Sequence, residues 1–276
     1  MGVLHIPAPA SAQPLPGPGT GTAIYRPRSD FQARTRVLAV NALLGGVTAA
    51  VRGALHGESL LTAFPVGLLG GALHFGGKWV GAKDFDGAQL VGRQVAAAGS
   101  SVIRNAGDGR GLFAELVAPL GPLRVYVAPG EARPVRVKVD AITVFGTLYA
   151  VIHAGAGIDL DRSLSTGALV FGPGELPAQA RTIGGAITYG EVAPQFESFF
   201  LQHEMIHVMQ HDLALTAWST DLEGWVAGVV GRPAETIHRF VDLGLYVPAV
   251  PLVQALDSGI PPWEEEAIHL AHPPGP

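Results

Sequence analysis

The sequence contains no cysteine among its 276 residues. Disulfide scaffolds, thiolate metal sites, iron–sulfur clusters and cysteine nucleophiles are therefore excluded together. Charged residues are also scarce, at 15% of the chain, and the formal net charge is −5. Because the sequence has no run of lysines and arginines and a pI of about 6.0, we expect no nucleic-acid partner.

Glycine and apolar residues are abundant instead. The chain has 37 glycines and is 48% hydrophobic, with a mean hydropathy of +0.31. A disordered protein would be rich in charge and poor in aliphatic side chains, so we expect a folded chain with a substantial core. The hydropathy is high for a freely soluble protein, which makes membrane contact a question from the start.

Composition divides the chain into three regions. Residues 1–30 are rich in proline and glycine and predict a flexible leader. The small residues at 10–12 have the form of a signal-peptidase site, yet no apolar segment precedes them, so the alternative is a truncated signal. Residues 31–110 predict apolar helices, and residues 111–276 predict a small sheet followed by a catalytic helical region.

The helical region contains two long uncharged runs, at 37–51 and 59–77. The second run reaches the minimum length for crossing a bilayer. Glycines four residues apart, such as Gly67 and Gly71, allow helix backbones to approach closely. We expect membrane lipid contact through residues 37–81 and a membrane or cell-envelope location rather than a cytoplasmic one. The alternative is close helix packing in a water-soluble or peripheral domain.

The hydrophobic period changes to two beyond residue 122. Alternation at 123–127 and 135–140 predicts half-buried strands, and 168–171 and 185–189 predict two more. The apolar segment 142–152 predicts either a further strand or a buried helix. Helices are predicted again after Pro194, with breaks at 219–221, 231–233 and 259–262. The fold class is therefore α+β, with a small mixed or antiparallel sheet.

The most informative segment is 199–211, which contains His203-Glu204-x-x-His207. Residues four apart on a helix lie on the same face, so both imidazoles can reach one cation. Glu204 lies close enough to hold a metal-bound water and act as the general base. His211 continues the stripe but lies about 12 Å along the axis from His203, too far to bind the same ion. Gln210 and Asp212 are candidates to orient a ligating imidazole, the alternative being that they face solvent.

This pentapeptide resembles the defining helix of the zincin metallopeptidases. The resemblance implies zinc-dependent hydrolysis of a peptide or protein substrate, on a sheet packed against the motif helix. Substrate would lie along an edge strand, for which 184–190 is the candidate. The metzincin subgroup needs glycine six and histidine ten positions after the first histidine, where this chain has Met209 and Leu213.

A third ligand must come from elsewhere, because a catalytic zinc site uses three protein ligands. The pattern Glu264-x-x-Ala267-x-x-x-Ala271 follows two prolines that favour a helix start. It resembles the second helix of gluzincins, particularly of membrane-bound zinc peptidases, and this resemblance implies Glu264 as the ligand. The chain has Ile268 where that family has aspartate. The other candidates for the ligand are Glu265, Glu266 and Glu223.

These observations predict a zincin-like zinc metallopeptidase with His203, His207 and Glu264 as ligands and Glu204 as base. The donor that stabilises the oxyanion is not identified by the sequence, and the candidates are Tyr189, His238, Tyr246 and His269. Ile268 favours a rival, a membrane-associated scaffold or binding protein that keeps zinc without hydrolysis. A second rival is a soluble protein whose histidine pair binds no metal.

Overall fold

The structure is a computed structural model, and it describes residues 30–175, 180–242 and 262–271. Within these residues the fold is mixed α and β, as predicted, with more helix than strand and two apolar helices near the start. The leader predicted for residues 1–30 lies outside the described residues except for residue 30. Tyr246 and most of the predicted break at 259–262 also lie outside them.

Three long helices form the first part of the described chain. They are α1 (Asp30–His56), α2 (Leu60–Gly81) and α3 (Ala88–Gly107), which confirms the predicted helical region. The glycine-rich turn after α3 ends the helix, with Gly109 at φ +64°. Two segments here, Arg34–His56 and Leu60–Gly81, are long and apolar enough to cross a membrane, a criterion that signal sequences and soluble core helices also meet.

Glycines bring these three helices into backbone contact. A methyl group at Gly71 of α2 would overlap the carbonyl oxygen of Asn41 in α1, and one at Gly77 would overlap the backbone of Ala96 in α3. Only glycine avoids such overlap, because it has no Cβ atom. The close approach turns Asn41 towards α2 and leaves an apolar outer face on α1, exposed at Leu43, Leu44, Val47, Val51 and Leu55.

The strands form two small sheets rather than one. The first contains β1 (Leu116–Leu120), β2 (Leu123–Val127), β3 (Val135–Asp140) and the two-residue β7 (Val241–Asp242), in that order. The second contains β4 (Leu169–Phe171), β5 (Ala180–Ile183) and β6 (Ala186–Tyr189), in the order β4-β6-β5. Between the sheets lie α4 (Ala141–Leu148), a π-helical turn (Tyr149–His153) and α5 (Leu160–Thr166).

Two expectations about this region need correction. Segment 142–152 is helical and partly exposed rather than a strand or a buried helix, with Phe145 62% and Ile152 77% accessible. Segment 184–190 does not provide an edge strand, because β6 is the central strand of its sheet. A turn at Gly184, with φ +64°, pairs β5 antiparallel with β6. The strand at this edge is therefore β5, which the sequence pattern did not reveal.

The motif helix α6 (Pro194–Val230) has 37 residues and continues without the predicted break at 219–221. Asp221 forms an ion pair with Arg52 of α1, and its other oxygen lies 2.8 Å from His56 Nε2. These contacts explain why the polar residues here do not end the helix. The chain turns instead at Gly231, with φ +82°, into α7 (Arg232–His238). The last described helix, α8 (Pro262–Leu270), begins at the predicted proline.

Candidate metal centre

Helix α6 presents His203 and His207 on one face, as four-residue spacing requires. Their Nε2 atoms lie 3.1 Å apart, and their ring centroids lie 4.8 Å apart with the planes nearly perpendicular. The Nε2 atoms of the two imidazole rings therefore point towards one common position.

Helix α8 brings Glu264 to the same place. Its Oε2 lies 3.3 Å from His203 Nε2, and its Oε1 lies 3.3 Å from His207 Nε2. The position of α8 is fixed by a buried apolar cluster that joins it to α6 and α1, made of Val37, Ile206, Ala267 and Leu270. Burial of these side chains stabilises the contact by about 25 cal/mol per Å² of apolar surface. The three candidate ligands are thus held by ordinary helix packing.

The spacing of these ligand atoms allows one metal ion to reach all three residues. The two imidazole nitrogens lie 3.1 Å apart, and each lies 3.3 Å from a different oxygen of Glu264. One ligand atom from each residue lies within 4.8 Å of the other two. Two imidazoles and one carboxylate are also a donor set found in catalytic zinc sites. These three residues are therefore able to hold a metal ion.

The same contacts shift protonation in the metal-free protein. Burial alone would lower the pKa of His207, but its hydrogen bond to Glu264 and the charges of Glu204 and Glu264 outweigh burial and raise the pKa to about 9. Burial alone would raise the pKa of Glu264, but His203 and His207 hold it well below its ordinary value. A proton on His207 therefore competes with any metal ion for the same nitrogen.

Glu204 is buried between α6 and strand β5. The hydroxyl of Thr182 on β5 donates a hydrogen bond of 2.6 Å to Glu204 Oε2, which fixes one carboxylate oxygen. Glu204 also lines a small cleft of about 20 Å³ that opens to solvent. The walls of this cleft are mainly apolar and aromatic, and include Ile187, Tyr189, Val192, Phe200 and Leu201. The cleft has room for about one water molecule, with Glu204 in its wall.

The other three candidates for the carboxylate ligand do not share this position. Glu266 is turned towards α2, where its Oε2 lies 2.8 Å from Lys78 Nζ. Glu223 lies in α6 and not in a following helix, sixteen residues beyond His207 and about 24 Å along the axis. The side chain of Glu265 lies outside the described part of the chain.

Gln210 and Asp212, the two predicted orienting residues, have different roles. Gln210 Oε1 lies 2.9 Å from His207 Nδ1, so this prediction agrees with the geometry. Asp212 instead binds the buried guanidinium of Arg93, at 2.8 Å from its Nε, and is directed away from the histidine pair. Lys78 was not identified from the sequence, although it is the charge that interrupts the apolar pattern of α2.

The candidate oxyanion donors are only partly brought to the site. Tyr189 lies in the wall of the same cleft as Glu204, and its hydroxyl donates a 3.0 Å hydrogen bond to Asp159. His238 lies in α7, beside the charges of Lys138 and Asp242, and His269 lies in the last turn of α8. Tyr189 is therefore the one of these described candidates that lines the cleft beside Glu204.

No protein-family model matches the chain, and comparisons with curated proteins and with solved structures give no significant match.

Proposed function

We propose that this protein is a zinc-dependent metallopeptidase of zincin-like, gluzincin-like arrangement, with His203, His207 and Glu264 as the zinc ligands. The observation that carries the proposal is the convergence of two imidazole nitrogens, 3.1 Å apart, on the two oxygens of one carboxylate at 3.3 Å. Two imidazoles and one carboxylate are a donor set of catalytic zinc sites, and here they come from an HExxH helix and a separate helix.

Glu204 is the proposed general base. When bound, zinc supplies Lewis acidity that polarises a carbonyl group and lowers the pKa of a water molecule to about 7. Glu204 takes one proton from the attacking water and delivers it to the leaving amine, so that hydrolysis balances. The hydrogen bond from Thr182 holds this carboxylate in place. The apolar walls of the cleft limit competing water around the reacting groups.

Strand β5 is the proposed support for a peptide substrate. It is an edge strand of its sheet, and its Thr182 contacts Glu204 directly. An extended peptide paired with such an edge gains backbone hydrogen bonds while its side chains enter neighbouring pockets. This edge beside Glu204 favours a peptide or protein substrate.

The test uses full-length protein purified without a histidine tag. Elemental analysis measures zinc per chain, and mass spectrometry follows cleavage of a mixed peptide library with and without a chelator. We expect one zinc per chain and chelator-sensitive cleavage. The Glu204→Gln variant keeps its zinc and loses cleavage, whereas Glu191→Gln, an exposed carboxylate outside the site, retains both.

The same experiment tests the rival function. Ile268 stands where the gluzincin pattern has aspartate, and this departure favours a scaffold or binding protein that keeps zinc without hydrolysis. Stoichiometric zinc with no cleavage of any library peptide would support that rival. Cleavage that persists undiminished in Glu204→Gln would refute the assigned base, and a chain without zinc would refute the metal site.

We also infer that the enzyme is attached to a membrane or cell envelope through α1 and α2. Support comes from the length and hydropathy of both helices and from the exposed apolar side chains of α1. Flotation with phospholipid vesicles tests this: wild type rises with the vesicles and resists carbonate washing. A Leu44→Lys/Val47→Lys variant should stay in the soluble fraction with its zinc content unchanged, and equal flotation of the two proteins would contradict lipid contact.

A further inference from the structure

A buried chain of polar contacts runs from α2 to the candidate metal ligand His207. Lys78 of α2 lies 2.9 and 2.8 Å from the two oxygens of Glu266 in α8. Oε2 of the same carboxylate accepts a 2.7 Å hydrogen bond from Gln210 Nε2 in α6. Gln210 Oε1 then lies 2.9 Å from His207 Nδ1. The chain thus joins three helices before it reaches the imidazole.

These contacts determine the tautomer of His207. The amide nitrogen of Gln210 donates to two acceptors, Glu266 and the carbonyl oxygen of Trp263 at 3.1 Å. Its oxygen is therefore free to accept, and His207 Nδ1 must carry the hydrogen. Because the hydrogen of the neutral imidazole stays on Nδ1, Nε2 is the nitrogen that becomes available to a metal when the imidazolium loses its second proton.

Asn41 fixes the other end of the chain. Its amide nitrogen donates to Glu266 Oε1 at 2.6 Å, and its oxygen accepts from Lys78 at 3.0 Å. Glu266 therefore receives hydrogen bonds on both oxygens, from α1, α2 and α6. A carboxylate held at so many points has little freedom to turn towards the metal itself.

We propose that Lys78, Glu266 and Gln210 are positioning residues that set the orientation and tautomer of His207 and so couple the α1–α2 hairpin to metal affinity. The inference rests on the proposed function, because it takes His207 as a zinc ligand. In the gluzincin pattern the position of Ile268 holds an aspartate, and isoleucine has no polar group to support a ligand. The inference assigns that support to Glu266, which acts on His207 through the amide of Gln210. Groups that hold a ligating imidazole in this way typically contribute 10–100-fold to metal affinity.

The experiment measures zinc dissociation constants by chelator competition, and it records the visible absorption of the cobalt-substituted protein as a report on ligand geometry. We expect Gln210→Met and Glu266→Gln to weaken zinc binding by about 10–100-fold, and Lys78→Met by about tenfold, at the lower end of that range. Each variant should also shift the cobalt spectrum.

Arg52→Met is the matched control. Arg52 is a second buried cation of the hairpin, with its side chain 2% exposed like that of Lys78, but its partners are Asp108 and Asp221. We expect it to lower the thermal midpoint and leave zinc affinity and the cobalt spectrum unchanged. The Gln210→Glu/Glu266→Gln double variant exchanges carboxylate and amide along the same chain, and it should regain most of the lost affinity.

Wild-type affinity and an unchanged cobalt spectrum in both Gln210→Met and Lys78→Met would overturn the inference. So would an equal loss of zinc affinity in Arg52→Met, because the effect would then be general destabilisation. If Lys78→Met does not fold, the Gln210 variants decide alone. Failure of the proposed function is distinguishable: wild-type protein would then take up no zinc at all.

Discussion

Two histidines one turn apart on α6, His207 and His211, lie in contrasting surroundings. His207 faces another imidazole and the carboxylate of Glu264, with donor atoms 3.1 and 3.3 Å away. His211 is also buried, and its Nε2 lies 2.8 Å from Asp140. The neighbouring Asp212 contacts Arg93 at 2.8 Å and Arg124 at 3.2 Å. Each of these two carboxylates in the second region thus has an imidazole or guanidinium partner.

The contrast shows which buried polar groups indicate a ligand site. Buried charges that are matched by partners of opposite sign are satisfied within the protein. In the region around His211 and Asp212, guanidinium groups supply that match. Around His203, His207 and Glu264, two imidazole nitrogens lie 3.1 Å apart and share one carboxylate, which is an arrangement that a divalent cation stabilises. Burial alone does not separate the two regions, but the convergence of two imidazole nitrogens on one carboxylate does.

The largest expected effect comes from replacing each of the two histidines by alanine in a separate variant. His207→Ala removes one of three zinc ligands and should abolish stoichiometric zinc binding. His211→Ala should keep the zinc and lower the free energy of unfolding by about 1–3 kcal/mol, because Asp140 loses a buried hydrogen bond. Elemental analysis and urea unfolding of both variants measure the two effects. Loss of zinc in both would show that the two regions are not independent.

The second prediction concerns Arg124, which contacts Asp212 of α6. Arg124→Met removes the cation that lies 3.2 Å from Asp212 and 3.2 Å from Asp242. We expect the free energy of unfolding to fall by about 3–5 kcal/mol, since buried carboxylates then lose part of their compensation. Zinc affinity should not change.

Arg110→Ala serves as the exposed control for this prediction. Arg110 is 31% exposed; it pairs with Glu131 at 2.8 Å and lies 3.9 Å from the buried carboxylate of Glu115, and ion pairs open to solvent contribute about 1 kcal/mol or less. Urea unfolding of both variants gives the comparison. An equal small loss in the two would mean that the buried network contributes no more than a surface pair.

The third prediction is that zinc affinity depends on pH through His207. The pKa of His207 is raised to about 9 in the metal-free protein, above its ordinary value of 6.5 in the unfolded chain. This group therefore stabilises the metal-free protein fully below about pH 6.5, and the contribution is lost as pH rises to about 9. Zinc must displace the same proton, so zinc affinity should rise by about tenfold per pH unit across this window.

Chelator competition between pH 6.5 and 9, corrected for the pH dependence of the chelator, measures that slope. Glu264→Gln checks the cause without metal, because loss of the carboxylate removes the main contact that raises the pKa of His207. NMR titration of the metal-free variant should show a lower His207 pKa than in the wild type. If the zinc affinity of the wild type stays constant between pH 6.5 and 9, zinc does not displace a proton from His207 and the prediction is wrong.

The sequence predicted those features of the candidate site that depend on the spacing of residues close together in the chain. The four-residue interval of His203 and His207 predicts a shared face, and the proline before α8 predicts a helix that begins at Pro262. Neither observation could place Glu264 against the histidines, because that contact depends on packing between helices far apart in the chain. The role of Lys78 was missed for the same reason, since its partner Glu266 is 188 residues away.

The errors about secondary structure have a similar cause. The polar residues at 219–221 predicted a break, but Asp221 is bound by Arg52 and His56 of α1, which supports the helix from outside. Strand β5 was missed because its four residues show no clear alternation, and pairing with β6 across the Gly184 turn defines it. In both places tertiary contacts override the local pattern.

The smallest expected effects come from two glycines of α2 that differ in what they contact. Gly71 meets the backbone of Asn41, the residue that holds Glu266, whereas Gly76 has no atom within 4 Å of an added methyl group. Gly71→Ala should lower the free energy of unfolding by about 1–3 kcal/mol through overpacking, and it should weaken zinc binding because Asn41 must move. Gly76→Ala should raise stability by about 0.5–1 kcal/mol through helix propensity and leave zinc affinity unchanged. Urea unfolding and chelator competition on the pair measure both quantities. If Gly71→Ala loses stability and keeps wild-type zinc affinity, the packing of α1 on α2 does not influence the ligands His203, His207 and Glu264. The geometry of the metal centre would then depend on α6 and α8 and not on the α1–α2 contact.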